Sequence, residues 1–369
     1  MGDPIPLLEN LIKIDSSKKA GANDAVDYCE KWLEDQGLEV KKIINNGYHM
    51  LVCEIGHGED TIVLNGHVDV IEAEDNQFQP YIEDGKMYGR GSIDMKAGVA
   101  AMMETVAQLK DSNPATRVML QIVPDEETGG LNGTKHLTDK GYVGDFIICG
   151  EPTHFGIAIQ SKGVLQLDFE IHGKPAHGSR PWEGHNAIKK AYDLYEDILQ
   201  LPFAKETAPP IYDKPSINLA KLKGGTVYNK VPEHCEMSLD IRYLPDQSPD
   251  EIFNQIEDIT DGKVNIHICN GPVKTKEDNP YVEALADSIK RQTQLERVNI
   301  YGQHGSNDGH FFTEYGGSAV EFGPVGFDWH GEKEMVYVES VKEYQEVLKD
   351  FVNSFNHKTN KRSVKTEEL

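Results

Sequence analysis

The 369-residue sequence holds only five cysteines, Cys29, Cys53, Cys149, Cys235 and Cys269. Their number is odd and no C-x-x-C occurs, which argues against a disulfide framework or a cysteine-type zinc knuckle and fits a reducing cytoplasm. No apolar run approaches the ~18 residues that cross a bilayer. The N-terminal MGDPIPLLENLIKID lacks a basic region followed by an apolar one, so it does not read as a secretory signal. Basic residues are scarce, 37 against 61 acidic, for a net charge of −24. A field of that sign repels nucleic acid and anionic lipid, and neither is an expected partner. H-E-x-x-H, G-x-S-x-G and G-x-x-x-x-G-K-[ST] are missing, as are repeats and low-complexity segments.

What is present describes an ordinary globular chain: 38% hydrophobic and 27% charged residues, long enough for two domains at about 150 residues each. Over the first 160 residues helical stretches (22–36, 96–109) alternate with apolar runs at 50–55, 61–64, 118–123 and 146–149. Runs so continuously apolar predict strands buried on both faces, hence an open, mostly parallel α/β sheet with helices on both sides. From about residue 163 the period becomes two, and the segments read β-α-β-β-α-β, an inserted α+β ferredoxin-like unit. The α/β pattern then resumes with a helix near 281–293, a strand at 318–322 and a last helix with a predicted capping box from Ser340 to Glu343. The polar tail HKTNKRSVKTEEL is expected to fray. The expected domains are 1–160 with 272–369, and 161–271.

Chemistry gathers where strands end. Leu64 leads into Asn65-Gly66-His67-Val68-Asp69, Val123 into Pro124-Asp125-Glu126-Glu127, and Cys149 into Gly150-Glu151. The 318–322 strand runs into a Gly/Pro loop reaching His330. Ligands of open α/β sheets bind outside the carboxyl ends of the strands, so one edge would receive imidazole and carboxylate from four strands. Asp94 adds a fifth donor from a glycine-rich turn before a helix, where it could instead be only a helix cap. Each element alone is more often a solvated turn; together they predict a metal cluster of hard oxygen and borderline nitrogen ligands.

The runs GHVD, YGRGSIDMKAG, PDEETGG, GEPT, PAHGSRPWEGHNAI and GSNDGHF, with His330, resemble the M20 family of metallohydrolases. The closer similarity is to its succinyl-diaminopimelate desuccinylase and acetylornithine deacetylase branch, in the family's order and spacing over nearly the whole chain. The resemblance implies a zinc-peptidase-type (phosphorylase/hydrolase-like) catalytic domain and a lid that carries a homodimer contact. It implies two divalent metal ions, zinc fitting best and cobalt or manganese suiting the same donors. His67 and Glu151 would hold one, Glu127 and His330 the other, and Asp94 would bridge them before a cis peptide. Asp69 would orient His67, and Glu126 would take a proton from the metal-bridging water and pass it to the leaving amine. From the lid, His177 would stabilise the oxyanion, and Asn229 and Arg242 would bind the substrate carboxylate, with Gly305 and Ser306 also at the substrate.

The implied function is amide hydrolysis of an N-acyl amino acid, or of a short peptide by a dipeptidase or carboxypeptidase with the same metals. Where the strict desuccinylases carry Arg-Arg-Gly-Ser and His-x-Ala-Tyr-Pro, this chain has Ser161-Lys162-Gly163 and His177-Gly178-Ser179-Arg180-Pro181. Succinyl, acetyl and aminoacyl groups are therefore all open. A non-catalytic binding relative is disfavoured, because Glu126 and all five ligands are retained.

Overall fold

The computed structural model describes residues 2–212 and 214–355. The expectation for the tail falls outside them. The chain divides into two compact units: Met1–Ile159 with Lys274–Tyr301 and Asn307–Leu369, and Gln160–Val273 with Gly302–Ser306.

The nine-stranded central sheet, most of it in the first unit, includes, in spatial order, Val40–Asn45, Tyr48–Ile55, Arg117–Val123, Thr61–His67, Phe146–Cys149, Ser318–Glu321 and Ile157–Ser161. The inner four are parallel, and antiparallel strands flank them, giving a mixed, mostly parallel core. Both residue parities of these inner strands are buried. Ile62, Leu64, Leu120, Ile122 and Ile148 join the main hydrophobic cluster, while Val63, Met119 and Ile147 are buried outside it. Successive side chains of a strand point to opposite faces, so both faces of the sheet are covered. The helix Lys96–Leu109 fits closely because of Gly98, where a Cβ would lie 2.3 Å from the Gly150 carbonyl oxygen. Its neighbour is thus the loop that begins Glu151.

The second unit is a four-stranded antiparallel sheet in the order Ser216–Gly224, His234–Tyr243, Gly163–His172, Gly262–Asn270. With the helices Ala187–Ile198 and Pro249–Ile259 its chain order is β-α-β-β-α-β. The alternation of Leu165, Leu167, Phe169 and Ile171 with polar residues puts them in that unit's own core, with Cys235, Met237, Leu239 and Ile241.

One helix start differs from expectation, and at another the alternative reading is ruled out. The capping box at Ser340 does not form: the last helix, Val338–Ser354, begins earlier, and the Ser340 hydroxyl is engaged with Val325 and Tyr337 backbone. Asp94 is not a helix cap either, since Met95 holds that position. A helix at Pro4–Ile12 and a small sheet of Tyr81–Glu83, Lys86–Tyr88, Gly326–Phe327 and Met335–Tyr337 come in addition. All five cysteines are free, and no described helix is long and apolar enough to cross a membrane.

Candidate metal centre

Because the inner strands are parallel, their carboxyl ends share one edge of the first unit. His67 ends its strand almost fully buried, and its ring Nδ1 lies 3.0 Å from the Asp69 carbonyl oxygen. A carbonyl can only accept, so Nδ1 carries a proton, and in the neutral ring Nε2 is the nitrogen left with a lone pair. Three carboxylates approach Nε2: Asp94 Oδ1 at 3.3 Å, Glu151 Oε1 at 3.6 Å and Glu126 Oε2 at 3.9 Å. None makes a hydrogen bond with it, and Nε2 is buried without a partner.

The other oxygen of Asp94 serves a second imidazole. Asp94 Oδ2 lies 3.2 Å from His330 Nε2, and Glu127 Oε1 lies 3.1 Å from that nitrogen. Two donor groups result, His67–Asp94–Glu151 and Asp94–Glu127–His330, in each of which the ligand atoms fall within 4.8 Å of one another. The Asp94–Met95 peptide is cis.

Asp69 is more involved than expected. Its carbonyl holds His67, while its carboxylate accepts from the Glu126 N–H (Oδ1, 3.2 Å) and the Glu127 N–H (Oδ2, 3.0 Å). One residue therefore orients the imidazole of one group and the backbone that carries Glu126 and Glu127.

Charge is badly balanced in this protein-only cluster, with four carboxylates against two imidazoles. Burial raises the Glu126 and Glu151 carboxyls well above their usual range; Glu151 and Asp308 add to the first, and Asp94 to the second. Burial alone would lower His67, but Asp69 and Asp94 outweigh it and raise the ring well above its ordinary value. Hydrogen bonds that the His330 ring donates to Asp94 and Glu127 raise it to about 10. Burial acts upward on Asp94, yet His330 and His67 hold it below the ordinary carboxylate range. Protons are thus held where cations would relieve the same repulsion. The orphaned Nε2 and the mixed nitrogen-oxygen donor set fit divalent metals.

Two residues at the site escaped the sequence reading. Glu334 lies in the charged run HGEKE. Its carboxylate is buried against Arg90 and the backbone of residues 91–94. Asp308, inside the quoted GSNDGHF, accepts from the Thr134 hydroxyl at 2.5 Å, and Thr134 in turn accepts from Asn65 at 3.2 Å. Burial pushes the Asp308 carboxyl up to about 7. A carboxyl raised in the fold stabilises it below the unfolded value, near 3.8, and loses that contribution as pH rises through about 7. Asp308→Asn should therefore flatten the fall in melting temperature of metal-free protein between about pH 4 and 7. An unchanged pH profile, read by circular dichroism, would assign that slope elsewhere.

The remaining candidates lie in the second unit. His177 is exposed, and its Nδ1 stands 2.8 Å from the Ser179 hydroxyl. The Gly178 N–H donates to the Asn229 carbonyl at 2.7 Å, which brings those two segments side by side. Arg242, on the strand His234–Tyr243, points Nε and Nη2 at the Asp240 carboxylate, at 2.9 and 3.1 Å. Gly305 and Ser306 sit in the short Gly302–Ser306 segment of the same unit.

A probable succinyl-diaminopimelate desuccinylase of Staphylococcus aureus strain Mu50 is 27% identical over 354 residues, covering 84% of this chain and 87% of that protein. An acetylornithine deacetylase of Vibrio campbellii is 28% identical over 306 residues, 77% of this chain and 80% of its own. Among solved structures, an M20 family metallo-carboxypeptidase of Sulfolobus solfataricus superposes with a TM-score of 0.78 at 19% identity, covering 96% of this chain and 99% of that one. The family model for peptidase family M20/M25/M40 matches residues 63–354, a span that holds every donor of the cluster. The chain belongs to peptidase family M20/M25/M40 and is a hydrolase of that family.

Proposed function

We propose that this protein is a two-metal deacylase that hydrolyses the amide bond of an N-acyl amino acid, of the desuccinylase and deacetylase kind. The observation that carries the proposal is Asp94, which turns one carboxylate oxygen to each of two imidazoles. His67 and Glu151 would hold one divalent ion and Glu127 and His330 the other, with Asp94 shared. Zinc suits these donors best, and cobalt or manganese would be accepted. Bound there, the ions supply Lewis acidity toward the scissile carbonyl and lower the pKa of water.

The protein's own part is proton handling and positioning. Glu126 belongs to neither donor group, yet Oε2 stands 3.9 Å from His67 Nε2. Its carboxyl, raised by burial, suits a group that must both take and return a proton. Oε2 would take a proton from the attacking water as the oxygen bonds to the carbonyl carbon. It would then deliver that proton to the amide nitrogen as the C–N bond breaks, leaving a carboxylic acid and an amine, between which the second water proton passes to give carboxylate and ammonium. His177 is assigned to the oxyanion, and Asn229 and Arg242, with Gly305 and Ser306, to the substrate carboxylate. Arg242 would exchange its pairing with Asp240 for the substrate. We also assign a homodimer contact to the second unit and a cytoplasmic location, with no nucleic-acid or membrane partner.

A peptidase reading keeps the same metals and base, and the likeness to a metallo-carboxypeptidase favours it as the alternative. Metal-reconstituted protein assayed on N-succinyl-diaminopimelate, N-acetylornithine and a dipeptide panel separates the two. Turnover of an N-acyl substrate with slow dipeptide cleavage is the expected result. Rapid dipeptide cleavage without deacylation would sink the deacylase.

A further inference from the structure

Glu334 and Arg90 form an ion pair with both side chains almost fully buried, 1% and 4% exposed, and 2.7 Å apart. A buried pair is a poor source of stability, because desolvation offsets most of its attraction. What this pair does have is an unusual set of backbone partners. Glu334 Oε2 accepts from the Gly91 N–H at 3.0 Å, and Oε1 from the Ile93 and Asp94 N–H groups at 3.0 and 3.2 Å. Arg90 Nη2 donates to the Gly331 carbonyl at 2.9 Å. On the other side of that carbonyl, Gln77 Nε2 donates to it at 3.1 Å and to Glu332 O at 3.3 Å, while the Arg90 N–H donates to Gln77 O at 2.9 Å. The turn that presents Asp94 and the loop that presents His330 are thereby tied to one another through residues 90 and 334.

No comparable tie is needed by His67, which is fixed by its strand and by Asp69. Nor does Glu151 need one; it follows directly from the strand Phe146–Cys149. His330 has no strand: it sits in a loop with positive φ, half exposed. We propose that Arg90 and Glu334 are positioning residues for the second metal, holding the His330 loop in register with Asp94, and that Gln77 braces the same loop. Two bound metals, as proposed above, are the premise.

Cobalt titration of metal-free protein, followed by the visible absorption of the bound ion, tests this. Wild-type protein should take up two equivalents. Glu334→Gln keeps the shape but not the charge, and should weaken the second equivalent about ten- to a hundredfold while the first is nearly unchanged. Gln77→Ala leaves no buried charge unpaired and should weaken the same equivalent by less, which decides the matter if Glu334→Gln fails to fold. A merely structural pair would instead lower the melting temperature of metal-free protein and weaken both equivalents alike. That outcome, or no weakening in either variant, would overturn the proposal. Uptake of a single equivalent by wild-type protein would overturn the two-metal premise instead.

Discussion

Glu126→Gln should leave both metals bound and lower kcat about 10²- to 10⁴-fold. The amide has the carboxylate's shape and still accepts at one oxygen, but it cannot carry a proton from water to the leaving amine. Metal content should be spared because neither donor group includes Glu126. The backbone there should also be spared, since Asp69 holds the N–H groups of residues 126 and 127 rather than their side chains. The measurement is kcat at saturating substrate beside bound-metal stoichiometry. Undiminished kcat with full metal content would remove Glu126 from the proton path.

Chelation should abolish turnover, and zinc, cobalt or manganese should restore it. Stability should follow the metals as well. An ion at a hundred times its dissociation constant adds about 2.7 kcal/mol to a fold that alone binds it. The sign of the pH dependence comes from the crowded carboxylates and imidazoles. In metal-free protein His67, Glu126, Glu151 and His330 are all raised, the last to about 10. Groups raised in the folded state stabilise it at low pH and lose that contribution as pH rises. Metal binding requires deprotonated ligands, so it strengthens in the same direction. The gain in melting temperature on adding metal should therefore grow from about pH 5 upward. Asp94→Ala, which removes the ligand common to both groups, should lose most of that gain at every pH. Retention of two tightly bound equivalents by Asp94→Ala would refute the shared-ligand arrangement.

How far this was legible in the sequence follows from where the information is local. The runs 61–64, 118–123 and 146–149 are apolar enough to imply burial on both faces, and parallel strands put residues 67, 127 and 151 on one edge. The Ser340 capping box failed because the hydroxyl's better partners, Val325 and Tyr337, come from tertiary structure. Tyr81–Glu83 and Lys86–Tyr88 are too short to show an alternation. The family resemblance implies that Asp69 orients His67, but the further hold of its carboxylate on the peptide of residues 126 and 127 depends on how two strand ends meet. Glu334 is the plainest case: its partners are some 240 positions earlier, and nothing within HGEKEMV marks it as buried.

The same long separations make the metal cluster a product of completed topology. Its donors run from residue 67 to residue 330, and no two of His67, Asp94, Glu151 and His330 share a turn of chain. A short nascent or proteolysed segment carries these donors without the sheet edge that brings them together. Non-local pairing is slow to form, because loop closure precedes the contacts that reward it. Metal capture should then be a late event in folding, and uptake of the second equivalent an index of native molecules rather than of total protein.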